Sequence, residues 1–385
     1  MKESLIFWLA GPPICCKGVF DAVADVWDGK IYYVCTRKND INRDKIIDSN
    51  FNKSSGKIEY VFIEKNVIAG NKFLQEHIDD IHIFNGYQGS SSCYLEELLK
   101  INKHPKLYIW AERTAYKNVT NHNSISVKTT ELLLNIKHAY YAVKYRKKVL
   151  GFFPLGEKGV NAYEKLGWKK EKMFSFLYLP EMNENIAFNP DEKIPDTVKF
   201  VYLGRFSSGS KGTDILINAF KKVKNTDYHL TMVGGYGNYK EQTMKFIESN
   251  PNTFFGGTWQ IKDACDKLSE FDVCIVPSRS EGWNPTVNEA LMAGIGCIAT
   301  DESVSDELIT ASGAGKVIKP DANELALSID YILEHPEIVL QWKKSAYDFR
   351  DNMTAIVCAR YFIDCIKYTL GETDKRPSPP WEVCE

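Results

Sequence analysis

Several absences narrow the reading of this 385-residue chain at once. There is no strong charge of either sign: the formal net charge is −2, and a nucleic-acid binder needs a basic excess to neutralise phosphates. No stretch of ~20 apolar residues exists to span a bilayer. The run Leu5–Ala10 is too short for a signal-peptide core and reads instead as a first buried strand. Ten cysteines are present, yet none forms a C-x-x-C pair, which argues against a zinc ribbon or a thioredoxin-like motif. Cys35, Cys274 and Cys297 sit inside apolar strand-like runs, where a thiol behaves as a small hydrophobe. A reducing cytoplasm is the expected compartment. No internal repeat stands out, no D-x-D follows a strand, and G-x-G-x-x-G spacing is missing.

What is present is alternation. The length suggests two domains, and a 44% hydrophobic fraction is ample for two cores. In the first half, apolar runs at Leu5–Ala10, Ile31–Cys35, Ile58–Ile63, Ile81–Phe84, Leu107–Ala111, Val149–Pro154 and Phe174–Leu179 read as strands. Helical stretches such as Cys93–Ile101, Ser126–Tyr145 and Lys158–Leu166 lie between them. A polar segment with Pro180, Pro190 and Pro195 follows, and then the pattern restarts at Val198. Nearly continuous apolar strands joined by helices indicate parallel sheets covered on both faces. The expected organisation is an α/β chain of two doubly wound Rossmann-like domains facing a central cleft. A first domain would span 1–180, a linker 181–196 and a second domain 197–350. A helix over 351–370 is expected to cross back to the first domain, and 371–385 to be a loose tail.

The densest chemistry lies in Pro277–Gly294. A buried strand, Val273–Val276, ends at Pro277, and a loop with Glu281 and Gly282 follows. Asn284 is a favoured N-cap and Pro285 a favoured first helical residue, so a helix should start there. Its free amides and positive dipole end suit a phosphate. Glu281 precedes those amides, and Glu289 lies just over one turn inside the helix. One carboxylate can reach a transferred group while the other accepts hydrogen bonds from a diol. A second cluster follows the strand Val198–Leu203. Gly204 leaves room for a ligand against the backbone, and Arg205 and Lys211 place a guanidinium and an ammonium on one rim, suited to a diphosphate. Gly234 opens a third strand-end turn, Gly234–Gly237, on that rim. Each feature alone would be an ordinary surface loop; their company reverses that reading.

Together these residues make the second half resemble the donor-binding domain of retaining family 4 glycosyltransferases with the two-Rossmann GT-B fold. The G-R-x5-K-G pattern is carried by Gly204, Arg205, Lys211 and Gly212, and the E-x7-E pattern by Glu281 and Glu289. The resemblance covers about residues 198–335 well. Residues 1–180 match only in outline, at Gly11, Tyr108–Arg113 and Gly159–Gly167. It implies transfer of a sugar from a UDP- or GDP-sugar to a saccharide or lipid-linked hydroxyl, with no metal or other cofactor. It further implies that Arg205 and Lys211 hold the pyrophosphate, Glu289 the ribose hydroxyls and Glu281 the donor sugar. Gly282, Trp283, Asn284, Pro285 and Thr286 would line that sugar, and base contacts would fall near Gly256–Trp259. Many relatives have glycine where Asn284 stands, which makes it a local clue to donor choice.

In the first half, relatives often place a histidine at the end of a central strand, near the anomeric carbon. Here Leu107–Ala111 ends in Glu112-Arg113, so Glu112 is the candidate to orient or deprotonate the acceptor hydroxyl; an ion pair with Arg113 or Lys117 is its bland alternative. His122 is a weaker candidate, and Gly11 is expected to line the cleft. Residues 137–172 hold ten Lys/Arg against three acids, interleaved with tyrosines, a composition suited to peripheral contact with an anionic inner-membrane face. Two other readings of the chain are a sugar-nucleotide epimerase or phosphorylase on the same scaffold, and a non-catalytic partner of another transferase.

Overall fold

The computed structural model describes residues 3–38, 56–64, 66–113, 125–187, 189 and 191–382. The chain divides into two compact units. One comprises Met1–Thr114, Thr129–Glu181 and Ala355–Pro380; the other is built mainly from Met182–Thr354.

The first unit holds strands β1 (Leu5–Leu9), β2 (Ile31–Cys35), β3 (Ile58–Phe62), β4 (Ile81–Asn85), β5 (Lys106–Ala111) and β6 (Gly151–Pro154). They pair in parallel in the order β3-β2-β1-β4-β5-β6. The second unit holds β7 (Val198–Leu203), β8 (Tyr228–Val233), β9 (Thr253–Phe255), β10 (Val273–Val276), β11 (Gly296–Thr300) and β12 (Gly315–Ile318), in the order β12-β11-β10-β7-β8-β9. Numbered within each unit, both orders are 3-2-1-4-5-6, the doubly wound arrangement of Rossmann sheets. Every residue of β1, β2, β10 and β11 is buried, as strands covered on both faces must be, whereas the edge strands β3 and β9 are partly exposed.

Order reverses between β1 and β4 in the first unit and between β7 and β10 in the second. Neighbouring loops there leave in opposite directions and open a crevice above the strand ends. Those two places are where Gly11 and the Gly204–Lys211 and Pro277–Glu281 loops lie.

Two expectations need correction. Phe174–Leu179 is not a strand. It runs beside β6 with Phe174 N–H on the Phe152 carbonyl (2.8 Å) and Phe176 N–H on the Pro154 carbonyl (2.9 Å), leaving only isolated bridges. Pro154 has no N–H to return, so the ladder is interrupted there and only one rung follows, Gly156 N–H on the Phe176 carbonyl (2.8 Å). The tail is not loose through Arg376, whose guanidinium donates to the Glu171 and Met173 carbonyls and lies 4.3 Å from the Phe174 ring centroid. Within the segment expected as a linker, the Glu192 carboxylate shares the buried ammonium of Lys343 with Asp272 (2.8 Å) of the second unit. The helix Ala355–Thr369 belongs to the first unit, with Phe362 against Phe153 (centroids 4.7 Å apart) and Phe7 (6.0 Å).

Candidate active site

In the second unit, β7 ends at Leu203 and the chain runs through Gly204 and Arg205 to Gly212, which starts the helix Thr213–Phe220. Gly212 has φ +63°, and a Cβ there would drive into the Pro277 carbonyl oxygen. The second glycine of G-R-x5-K-G is therefore required by backbone packing of the β7 loop against the β10 loop, and that packing sets Lys211 beside Glu281. Gly234 serves similarly. It lets the turn after β8 rest on the Gly204 carbonyl, where a Cβ would collide.

The Lys211 ammonium lies 2.8 Å from Glu281 Oε1, with side chains 17% and 12% exposed. The Ser278 hydroxyl donates to the same Oε1 at 2.9 Å. Arg279, which no motif in the sequence marks, locks both loops together. Its guanidinium forms a fork with Asp214 (2.6 Å on each arm) and also donates to the Ser208 carbonyl. Arg205 is exposed, and its guanidinium has no hydrogen-bond or ion-pair partner among the described residues. A pairable fork standing free beside a held ammonium is what an incoming diphosphate requires.

The helix Pro285–Met292 begins as its sequence dictates. Asn284 is extended (φ −106°, ψ 103°), its side-chain oxygen accepts from Thr286 N–H at 3.2 Å, and Pro285 fills the first turn. A cap of this kind stabilises by about 1 kcal/mol. Asn284 is 2% exposed and its amide nitrogen also approaches the Ser278 hydroxyl at 3.4 Å. Trp283 turns its side chain into the interior. It is 3% exposed and its indole N–H is spent on Asn288 (2.9 Å), so it props the helix from the interior. Gly282 and Thr286 are buried.

Glu289 is buried on this helix, and burial pushes its carboxyl up to about 8, against the opposing pull of the Lys211 charge and a hydrogen bond from Thr286. A buried acid with so raised a pKa, one turn from the loop that holds Lys211 and Glu281, is a functional-site signature.

A third strand-end segment supports the loop. Glu281 N–H donates to the Glu302 carbonyl and Asn284 N–H to the Ser303 carbonyl, each at 3.1 Å. The next residue, Val304, is fully buried in the left-handed region at φ +66°. A β-branched residue there costs on the order of 1–3 kcal/mol and persists only where surrounding packing over-determines it. No sequence signal marks this strut.

In the first unit, Gly11, Pro12, Arg37, Asn85, Trp110 and Glu112 line a cavity of about 180 Å³ at the switch point. Glu112 accepts a hydrogen bond from the Tyr178 hydroxyl at 2.6 Å, and its backbone carbonyl accepts one from Tyr163 at 2.6 Å. Trp110 is buried, and its indole N–H has no partner among the described residues. Thus Gly11 and Glu112 do share one cavity. His122 and Lys117 lie outside the described residues.

Residues 184–349 match the model of the family described as glycosyl transferases group 1. With two Rossmann-like domains of the GT-B fold, that match supports a glycosyltransferase. Among solved structures, Anabaena HepE in complex with UDP superposes with a TM-score of 0.71 at 12% identity, covering 97% of this chain and 100% of that one. Sucrose-phosphate synthase from Thermosynechococcus elongatus gives 0.72 at 15% identity, over the same shares. WaaG, a glycosyltransferase involved in lipopolysaccharide biosynthesis, gives 0.63 at 15%, covering 94% of this chain and 99% of that one. An uncharacterized 41.2 kDa protein of the cps region of Klebsiella pneumoniae is 26% identical over 143 residues, 37% of this chain and 38% of that protein.

Proposed function

We propose that this chain is a retaining, metal-independent glycosyltransferase of the family 4 type, moving a sugar from a UDP- or GDP-sugar to a saccharide or lipid-linked hydroxyl. The observation that carries the reading is the free Arg205 beside the Lys211–Glu281 pair, held by loops that meet at a switch point. Bond breaking between the anomeric carbon and the diphosphate leaves an electron pair on phosphate oxygen. Arg205, Lys211 and the amides at the start of Pro285–Met292 are preorganised to stabilise that charge without a metal. Glu281 is assigned to the donor sugar and Glu289 to the ribose diol. The acceptor oxygen forms the new bond on the face the phosphate leaves, and its proton passes to a base. We assign that role to Glu112, whose carboxylate is already oriented by Tyr178.

The cps-region relative and WaaG favour synthesis of a cell-surface polysaccharide or glycolipid. We place the reaction at the cytoplasmic side, with the basic residues 137–172 toward the inner membrane face. Screening hydrolysis of a panel of nucleotide sugars identifies the donor. Lys211→Ala is expected to abolish transfer while the protein stays folded. A fully active Lys211→Ala variant would contradict the phosphate assignment, and absence of any nucleoside diphosphate binding by the wild type would favour a non-catalytic scaffold.

A further inference from the structure

The helix Ile125–Tyr145 is apolar on two opposite sides. Inward, Ala142 and Tyr145 are fully buried in the core of the first unit, with Tyr141 packed against it. Outward, Leu132, Leu133, Ile136, Tyr140 and Val143 are 59, 62, 58, 61 and 64% exposed. At about 100° per residue these five fall within one arc of roughly 100°. A surface helix ordinarily turns charge to solvent, and an outward apolar face marks a binding surface. Exposed Lys137 and Lys144 border the arc, and exposed Lys147 and Lys148 follow the helix end. Lys144 also pairs with Glu96 at 2.6 Å.

We infer that this face beds into an anionic lipid surface, with the five apolar side chains below the headgroups and the lysines among them. The inference sharpens the membrane part of the proposed function and is independent of its donor chemistry. Charge selects the occupant. An isologous second copy would bring the same cationic rim onto itself, whereas an anionic bilayer offers an apolar layer edged by negative charge. The local excess over 137–172, ten Lys/Arg against three acids, acts in the same direction.

The test is co-sedimentation of the full chain with vesicles of phosphatidylcholine alone and of phosphatidylcholine with phosphatidylglycerol. Binding is expected only to the anionic vesicles and should weaken with salt. Lys147→Ala with Lys148→Ala should lower partitioning roughly 25-fold, at about fivefold per cation. Ile136→Glu with Val143→Glu should abolish it. Both side chains are exposed, so melting temperature and UDP binding, measured on the same samples, should not change. Equal binding to neutral and anionic vesicles, or undiminished binding by the glutamate variant, overturns the inference. So does a dimer in sedimentation velocity that the glutamate variant dissolves. Failure of the wild type to bind either UDP or GDP would instead count against the donor site.

Discussion

Glu289→Gln is the perturbation that asks most of the site. In the folded chain the Glu289 carboxyl titrates at about 8 rather than its ordinary 4.5, because burial penalises the anion more than Lys211 and Thr286 favour it. The folded state therefore holds this proton more tightly than the unfolded state. The resulting stabilisation is complete below about 4.5 and is lost as pH rises through about 8. At about 1.4 kcal/mol for each pH unit, its full extent is on the order of 3–5 kcal/mol. Glutamine keeps the shape without the charge, so the variant should melt higher than wild type at pH 9, by roughly 10 °C for a unit of this size, and the gap should close toward pH 5. Nucleotide affinity should move the other way. A ribose diol donates most strongly to the ionised carboxylate, whose share rises from ~3% at pH 6.5 to ~90% at pH 9 for a group titrating near 8. UDP affinity in calorimetric titrations should then gain about thirtyfold over that range relative to Glu289→Gln. The comparison with the variant cancels titration of the phosphate itself. If the two affinity profiles ran parallel, Glu289 would not bind the ribose through its anion. If the two melting profiles ran parallel, it would not be the buried proton site inferred from the structure.

Two further outcomes follow from the geometry. Gly212→Ala should fail to fold or bind UDP, because a Cβ at φ +63° meets the Pro277 carbonyl; circular dichroism and UDP titration read this, and a stable, binding variant would refute the packing argument. Glu112→Gln should keep UDP binding and lose most transfer, by about 10²–10⁴-fold if the carboxylate is the base. Full transfer with intact folding would remove that role.

Much was legible from residue order alone. Uninterrupted apolar strands such as Ile31–Cys35 and Val273–Val276 announce burial on both faces, and this is a local property of composition. Asn284-Pro285 likewise specifies a helix start through its own backbone chemistry, before any tertiary contact forms. The spacing of Arg205, Lys211, Glu281 and Glu289 was readable as a pattern. What that pattern meant physically was not. Only the folded chain shows that Gly212 lets two loops touch, and that Arg279 clamps them through Asp214. Trp283 turns inward to Asn288, and packing holds Val304 in a conformation its side chain disfavours. These depend on approaches between residues far apart in sequence, for which no local propensity exists. The same holds for charge. Composition named Glu289 as an acid, but its pKa near 8 arises from burial, and burial is decided by the tertiary structure.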